Sequence, residues 1–280
     1  MVLSIISFLY MTPVLITITN SFMGEKEIEG KYTAETSLLD ENGNAYKMHF
    51  VEMGFIPDQV TLNQYAGLLL TRPAYLLLFW NSVKITVPVL LGQLLVSVLS
   101  AYAFVIMSSK HKDILFFVYI LVMLLPLQVI LVPNYIMANF LHLSESCLAI
   151  ILPGIFSTFG AFLLRQHMKT IPGAYREAAK VDGANELYVF VHIILPMARG
   201  GIAALAMLTF VEYWNVVDQA VVFIKESYKE PLSVFLSRMG TGGRGLIFSA
   251  SGFYMLPAVL LFLYGQEYLI KGIRLSGIRE

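Results

Sequence analysis

Charge is scarce in this sequence: of its 280 residues only 14% are charged, while 57% are hydrophobic. That balance excludes an ordinary soluble domain, in which charged residues make up about 25%. A mean hydropathy of +0.71 calls instead for several membrane spans. The few charges cancel, 19 basic against 19 acidic, which leaves a nucleic-acid partner without electrostatic support. One cysteine, Cys147, excludes an intramolecular disulfide. His49, His111, His142, His167 and His192 are scattered without metal-ligand spacing, so no metal site is expected. No nucleophile elbow or paired-acid arrangement stands out, and no catalytic residue is expected. A Gly-x-x-x-x-Gly-Lys-Ser/Thr phosphate loop is missing as well, so the chain is not expected to hydrolyse ATP. The glycine-rich stretch 239–245 follows no strand and precedes no Lys-Ser/Thr pair, which makes it a loop.

What is present is apolar length. A membrane-crossing helix needs about 20 mostly apolar residues, and six runs supply them, at about 1–22, 83–107, 114–138, 148–165, 200–224 and 249–270. Residues 1–22 lack the basic start and small-residue cleavage site of a signal peptide and read as a first span. Pro88, Pro126, Pro133, Pro153 and Pro257 fall inside the runs, where neighbouring helices can satisfy the freed backbone groups. Ser97 and Ala101, four apart, suggest a close helix contact. The expected fold is an all-α polytopic membrane protein of six transmembrane helices. In the loop 23–82, Leu38–Leu39 and Ala45–Val51 flank Asp40-Glu41-Asn42-Gly43-Asn44 and read as a small β-hairpin with an Asn-Gly turn.

One stretch breaks the apolar pattern. Ile171–Pro196 carries Arg176, Glu177, Lys180, Asp182 and Glu186 and must lie outside the bilayer. Pro172 suits a first helical turn, and Glu177, Ala178 and Ala179 favour helix. Gly183 permits a left-handed residue that ends this helix. Asn185 can cap a second one over Leu187–Ile194, and Pro196 marks the return to the membrane.

The spacing Glu177-Ala178-Ala179, Gly183, Ile193, Leu195, Pro196 resembles the EAA loop of ATP-binding-cassette importer permeases. Asp182-Gly183-Ala184 and Trp214-Asn215 resemble the carbohydrate-uptake, MalG-like branch of that family. Thr61-Leu62-Asn63-Gln64-Tyr65 resembles the phrase ahead of its second span, and Tyr268–Ile273 with Gly277 its terminal phrase. The resemblance covers about 61–280. Residues 24–60 exceed the family's usual loop, so the hairpin looks like an insertion, and the family's basic stretch before the first helix has no counterpart ahead of Met1.

The resemblance implies a cytoplasmic coupling loop at 166–199, with Glu177, Ala178, Ala179, Asp182, Gly183, Ile193, Leu195 and Pro196 as its residues. It also implies a second homologous permease subunit, two cytoplasmic ATP-binding-cassette ATPases holding ATP and Mg, and an extracytoplasmic solute-binding protein. No cofactor is implied in this chain.

Charge asymmetry agrees with that orientation. Segments 108–113, 165–199 and 270–280 hold ten basic residues against five acidic, while loop 23–82 holds four against eight. Loop 225–248, with four basic residues against two acidic, argues weakly the other way. On balance the chain is expected in the bacterial plasma membrane with both termini, including a 271–280 tail, in the cytoplasm.

Span five interrupts its apolar residues with Glu212-Tyr213-Trp214-Asn215 and Asp218-Gln219. Ionisable groups inside a membrane cost at least ~2.5 kcal/mol and normally face a cavity or a partner. At 3.6 residues per turn, Glu212, Asn215 and Gln219 fall within one arc with Trp214 at its side. These four are candidates for the solute path. The other reading has Glu212 and Asp218 pairing with the partner subunit. Gln128, Asn134, Tyr254 and Gln266 are lesser candidates.

The function expected is a permease subunit of a binding-protein-dependent importer, for a sugar or oligosaccharide. The alternative is an ion-gradient-driven secondary transporter, which would show two repeated halves and interrupted helices carrying an ion site; no halves repeat. A membrane-anchored scaffold without transport would not need six proline-punctuated spans.

Overall fold

A computed structural model describes residues 2–32, 34–39, 45–50, 54–71, 73–239 and 244–277. Helices α1 (Val2–Asn20) and α2 (Glu25–Tyr32) are followed by antiparallel strands β1 (Ala34–Leu39) and β2 (Ala45–Phe50) and by α3 (Asn63–Ala66). The long α4 (Pro73–Ile106) precedes two broken pairs, α5 (Lys112–Met123) with α6 (Leu127–Phe140) and α7 (Leu148–Ile155) with α8 (Thr158–Lys169). Then come α9 (Ala174–Val181), α10 (Glu186–Val189), a π-helical turn Phe190–Ile194 and α11 (Leu195–Trp214). The chain closes with α12 (Asp218–Phe223), α13 (Leu232–Arg238) and α14 (Arg244–Gly277). Among the described residues, five helical stretches are long and apolar enough to cross a membrane, or six if the bent pair α5–α6 is one span.

Several boundaries differ from the sequence expectation. The run 114–138 is two helices bent by 97°, because Pro126 has no N–H to donate and takes an extended ψ of 146°. The run 148–165 breaks at extended Ser157 and then continues to Lys169. The second span starts at Pro73 instead of 83; its 34 residues extend for about 51 Å, well beyond a hydrocarbon core of about 30 Å. The fifth stops at Trp214 instead of 224. Helix α14 begins at Arg244, and its last residues take up 271–277 of the expected tail. The strands pair in register from Ala34 opposite Phe50 to Leu39 opposite Ala45, while the Asn-Gly turn between them lies outside the described residues.

The chain forms two compact units, one of residues 1–80 and 234–257, the other of 81–233 and 258–280. In the first, the Tyr75 hydroxyl donates to the Ala250 carbonyl at 2.7 Å, and its ring meets Phe235 and Phe253 edge-on. Tyr65 donates to Ser21 Oγ at 2.8 Å. Outside the spans, Glu27 accepts from Lys31 Nζ at 2.7 Å and from the Asp58 N–H at 2.8 Å. Burial alone would raise the Glu27 carboxyl, but these donors hold it below its ordinary range.

The second unit is built around Val98, Ala101 and Tyr102 of α4, Leu164 and Met168 of α8, Phe190 and Ile194 of the π turn, and Ala198 and Leu205 of α11. Between helices in lipid the drive is close packing more than water exclusion. Small residues permit it: a Cβ on Gly160 would lie 2.2 Å from the Oγ of buried Ser97, so α8 approaches α4 at the side chain the sequence marked for a helix contact.

Candidate functional site

The polar segment 171–196 is two short helices joined by a tight turn. Helix α9 ends on Asp182, and Gly183 has φ +83°, the left-handed conformation that glycine adopts without strain. The Gly183 N–H reaches the Lys180 carbonyl at 3.1 Å and the Ala184 N–H reaches the Ala179 carbonyl at 2.9 Å. This pair of bonds is the Schellman termination, which satisfies two carbonyls that would otherwise be orphaned. Asn185 then caps α10, its side chain accepting from the Tyr188 N–H at 2.7 Å. Pro172 stands two residues ahead of α9, its carbonyl accepting from Tyr175 at 3.3 Å.

A carboxylate that sequence reasoning did not single out ties these helices together. Glu186 accepts from Arg176 Nε at 2.9 Å and Nη2 at 3.2 Å, and pairs with Lys180 Nζ at 2.7 Å. The Tyr102 hydroxyl of α4 donates to the same carboxylate. Arg176 and Lys180 lie one turn apart on α9, so a single group on α10 collects both and fastens them to α4. The Glu186 carboxylate in turn holds the Arg176 guanidinium above its ordinary range. The one sequence signal available was the i, i+4 spacing of the two bases ahead of an acid in the next first turn.

Exposure divides the expected coupling residues into two groups. Glu177, Ala178, Asp182, Gly183 and Pro196 are exposed. Ala179, Ile193 and Leu195 are half-buried and pack against the core of the second unit. The same segment carries apolar side chains that are open among the described residues: Tyr175 is 52% exposed, Leu187 69% and Val181 88%. A surface of this kind, small residues and a carboxylate rimmed by open apolar groups, is suited to docking.

The expected arc in span five is not one helical face. Helix α11 ends at Trp214, and Asn215 caps it, its Nδ2 donating to the Val211 carbonyl at 2.8 Å. The chain resumes as α12 at Asp218, and the Val216 carbonyl left by the break accepts from the Ser233 hydroxyl at 2.5 Å. The break nevertheless brings Glu212, Asn215 and Gln219 to the wall of one cavity of about 200 Å³, together with Tyr213 and Asp218. Trp214 is not among them: it is 2% exposed and stacks on Phe210 at 5.3 Å, so it serves packing.

Glu212 also lines a larger, mostly apolar cavity of about 450 Å³ with Phe159, Met207, Val211 and Phe262. Among the described residues no group of three or more His, Cys, Asp or Glu side chains converges as a metal-ligand set. Residues 240–243 of the glycine-rich stretch lie outside the described residues.

Residues 93–275 match the family described as binding-protein-dependent transport system inner membrane component. The arabinooligosaccharides transport system permease protein AraQ of Halalkalibacterium halodurans is 26% identical over 228 residues, covering 80% of this chain and 82% of that protein. The lactose transport system permease protein LacG of Rhizobium radiobacter is 30% identical over 200 residues, covering 70% and 73%. In fold, the chain is similar to the crystal structure of a bacterial ABC transporter involved in the import of the acidic polysaccharide alginate. The TM-score is 0.78 at 18% identity, with 96% of this chain and 94% of that chain covered.

Proposed function

Since the chain belongs to the family of binding-protein-dependent transport system inner membrane components, we propose that it is the permease subunit of an ATP-driven carbohydrate importer. In this reading segment 171–196 is cytoplasmic and couples it to the ATPases. The observation that carries the proposal is the geometry of that segment: a Schellman-closed turn at Gly183, braced by Glu186, presenting Glu177, Ala178 and Asp182 to solvent. The likeness to permease proteins of arabinooligosaccharide and lactose transport systems supports a sugar or oligosaccharide as the solute.

The mechanism follows from rigidity. ATP and Mg²⁺ are bound by two partner ATPases, and this chain performs no chemistry. Closure of the ATPase dimer pulls on α9; Val181 and Leu187 lose their exposure to water in the dock, while Ala178 and Gly183 permit close approach. Because Glu186 ties α9 to Tyr102 of α4, and because α10 runs through the π turn into α11, displacement of the loop is passed to two membrane-crossing helices together. Alternating access is then a rocking of these helices against a second permease, with both chain ends cytoplasmic and the solute delivered by an extracytoplasmic binding protein.

The cavity at the α11–α12 break contributes to the solute path. Its volume of about 200 Å³ is below the ~300–1,000 Å³ of a complete ligand pocket, so the partner permease supplies the remaining wall. Family membership argues against the ion-gradient alternative.

The test is co-purification. The tagged chain is expressed with its neighbouring transport genes, extracted in mild detergent and assayed for vanadate-sensitive ATPase activity. Recovery of an ATPase and a second permease, with activity lowered by Glu177→Ala, is the expected result. A lone chain without ATPase activity overturns the proposal.

A further inference from the structure

We infer that the cavity at the α11–α12 break selects solutes by charge, taking neutral sugars and turning away those that carry carboxylate or phosphate groups. The inference rests on the proposal that this cavity belongs to the solute path. Its walls carry two carboxylates, Glu212 and Asp218, two amides, Asn215 and Gln219, and no lysine or arginine. Neither carboxylate takes part in an ion pair among the described residues, and Lys225, the nearest base in sequence, is engaged with Glu145 at 3.4 Å.

The remaining polar groups of the cavity suit a hydroxylated ligand. A sugar hydroxyl both donates and accepts, and so can meet the Asn215 and Gln219 amides as well as the carboxylates. An anion gains hydrogen bonds from the amides but also meets two like charges on the cavity wall. At an effective dielectric of about 20 that repulsion lowers occupancy by about tenfold or more.

The local potential can be read with a cysteine reporter in the assembled, membrane-reconstituted complex. Cys147 and any cysteines of the partner subunits are replaced, and Gln219→Cys, with Asn215→Cys as an independent second reporter, is treated with neutral, cationic and anionic methanethiosulfonates. Rates are normalised to those with a free thiol. The cationic reagent is expected to react at least about tenfold faster than the anionic one, and Glu212→Gln with Asp218→Asn is expected to bring the two within about twofold. Equal rates, or a faster anionic reagent, overturn the charge selection while leaving the solute path intact. If even the neutral reagent fails at both positions, the cavity is not reached from solvent, and the solute-path assignment falls together with this inference.

Discussion

Removing the brace on the polar loop, by Glu186→Gln, should loosen α9 without unfolding the protein. The replacement keeps the shape of the side chain and removes its charge. Three donors then lose a charged acceptor: Arg176 at 2.9 and 3.2 Å, Lys180 at 2.7 Å, and Tyr102. The ion-paired side chains are between 32% and 45% exposed, so solvent screens them. Exposed pairs contribute about 0.2–1 kcal/mol each, the bidentate arginine lying toward the upper end.

The sum is about 1–2 kcal/mol, a factor of about 5–30 in the opening equilibrium of α9. Hydrogen exchange on the detergent-solubilised complex measures this directly: amides of 178–184 should exchange faster by that factor, while those of the 85–101 stretch of α4 stay unchanged. Uptake in proteoliposomes should fall with the loss of protection, since a loosened helix transmits less of the ATPase motion. Unchanged exchange in 178–184, or a general loss of protection through α4, would refute the assignment of Glu186 as a local brace.

Three further outcomes follow from the same geometry. Gly160→Val places atoms against Ser97 Oγ, which a Cβ alone would approach to 2.2 Å; overpacking of this kind costs about 1–3 kcal/mol, so the melting temperature in detergent should drop and Ser97→Gly should restore part of it. Tyr75→Phe removes the 2.7 Å bond to the Ala250 carbonyl, which keeps its place in the α14 hydrogen-bond ladder, and should cost about 0.5–1.5 kcal/mol in denaturant titration. Glu27 is held below the ordinary carboxylate range, so the contact it makes with Asp58 contributes stability above the unfolded value of about 4.3 and loses it as pH falls through the lower folded value. Proteolysis of 54–60 should therefore rise on acidification below that range, and Glu27→Gln should abolish the pH dependence.

Local chemistry was the most legible part of the sequence. Gly183 and Asn185 announced a left-handed turn and a cap, and both are present, because each depends only on residues within a few positions. The apolar runs likewise marked the long helices. Helix breaks were less readable: Pro126 splits the third run while Pro88, Pro133 and Pro257 sit inside intact helices, so the presence of a proline in a run does not by itself mark a break. The stop at Trp214 is of the same kind, since the carbonyl it frees at Val216 is satisfied by Ser233, 17 residues away.

A helical projection therefore drew Trp214 beside Glu212 and Gln219, whereas the ring is buried against Phe210. The bracing role of Glu186 was hard to read for a related reason. One of its partners, Tyr102, lies 84 positions away, and only the folded chain brings that hydroxyl to the loop.

The central claim, that segment 171–196 transmits ATPase motion, is tested most directly by measuring ATP hydrolysis and sugar uptake side by side in proteoliposomes carrying Gly183→Val. At φ +83° nothing in this chain lies within 4 Å of the added Cβ, so the residue enters without internal collision; it strains the turn by about 1–2 kcal/mol, as a left-handed residue with a side chain, and adds bulk to the docking face. The account predicts a normally inserted protein whose uptake falls several-fold while hydrolysis continues, with Gly183→Asn, which tolerates that conformation but still adds a side chain to the dock, falling less. Normal uptake per ATP hydrolysed by Gly183→Val would contradict it.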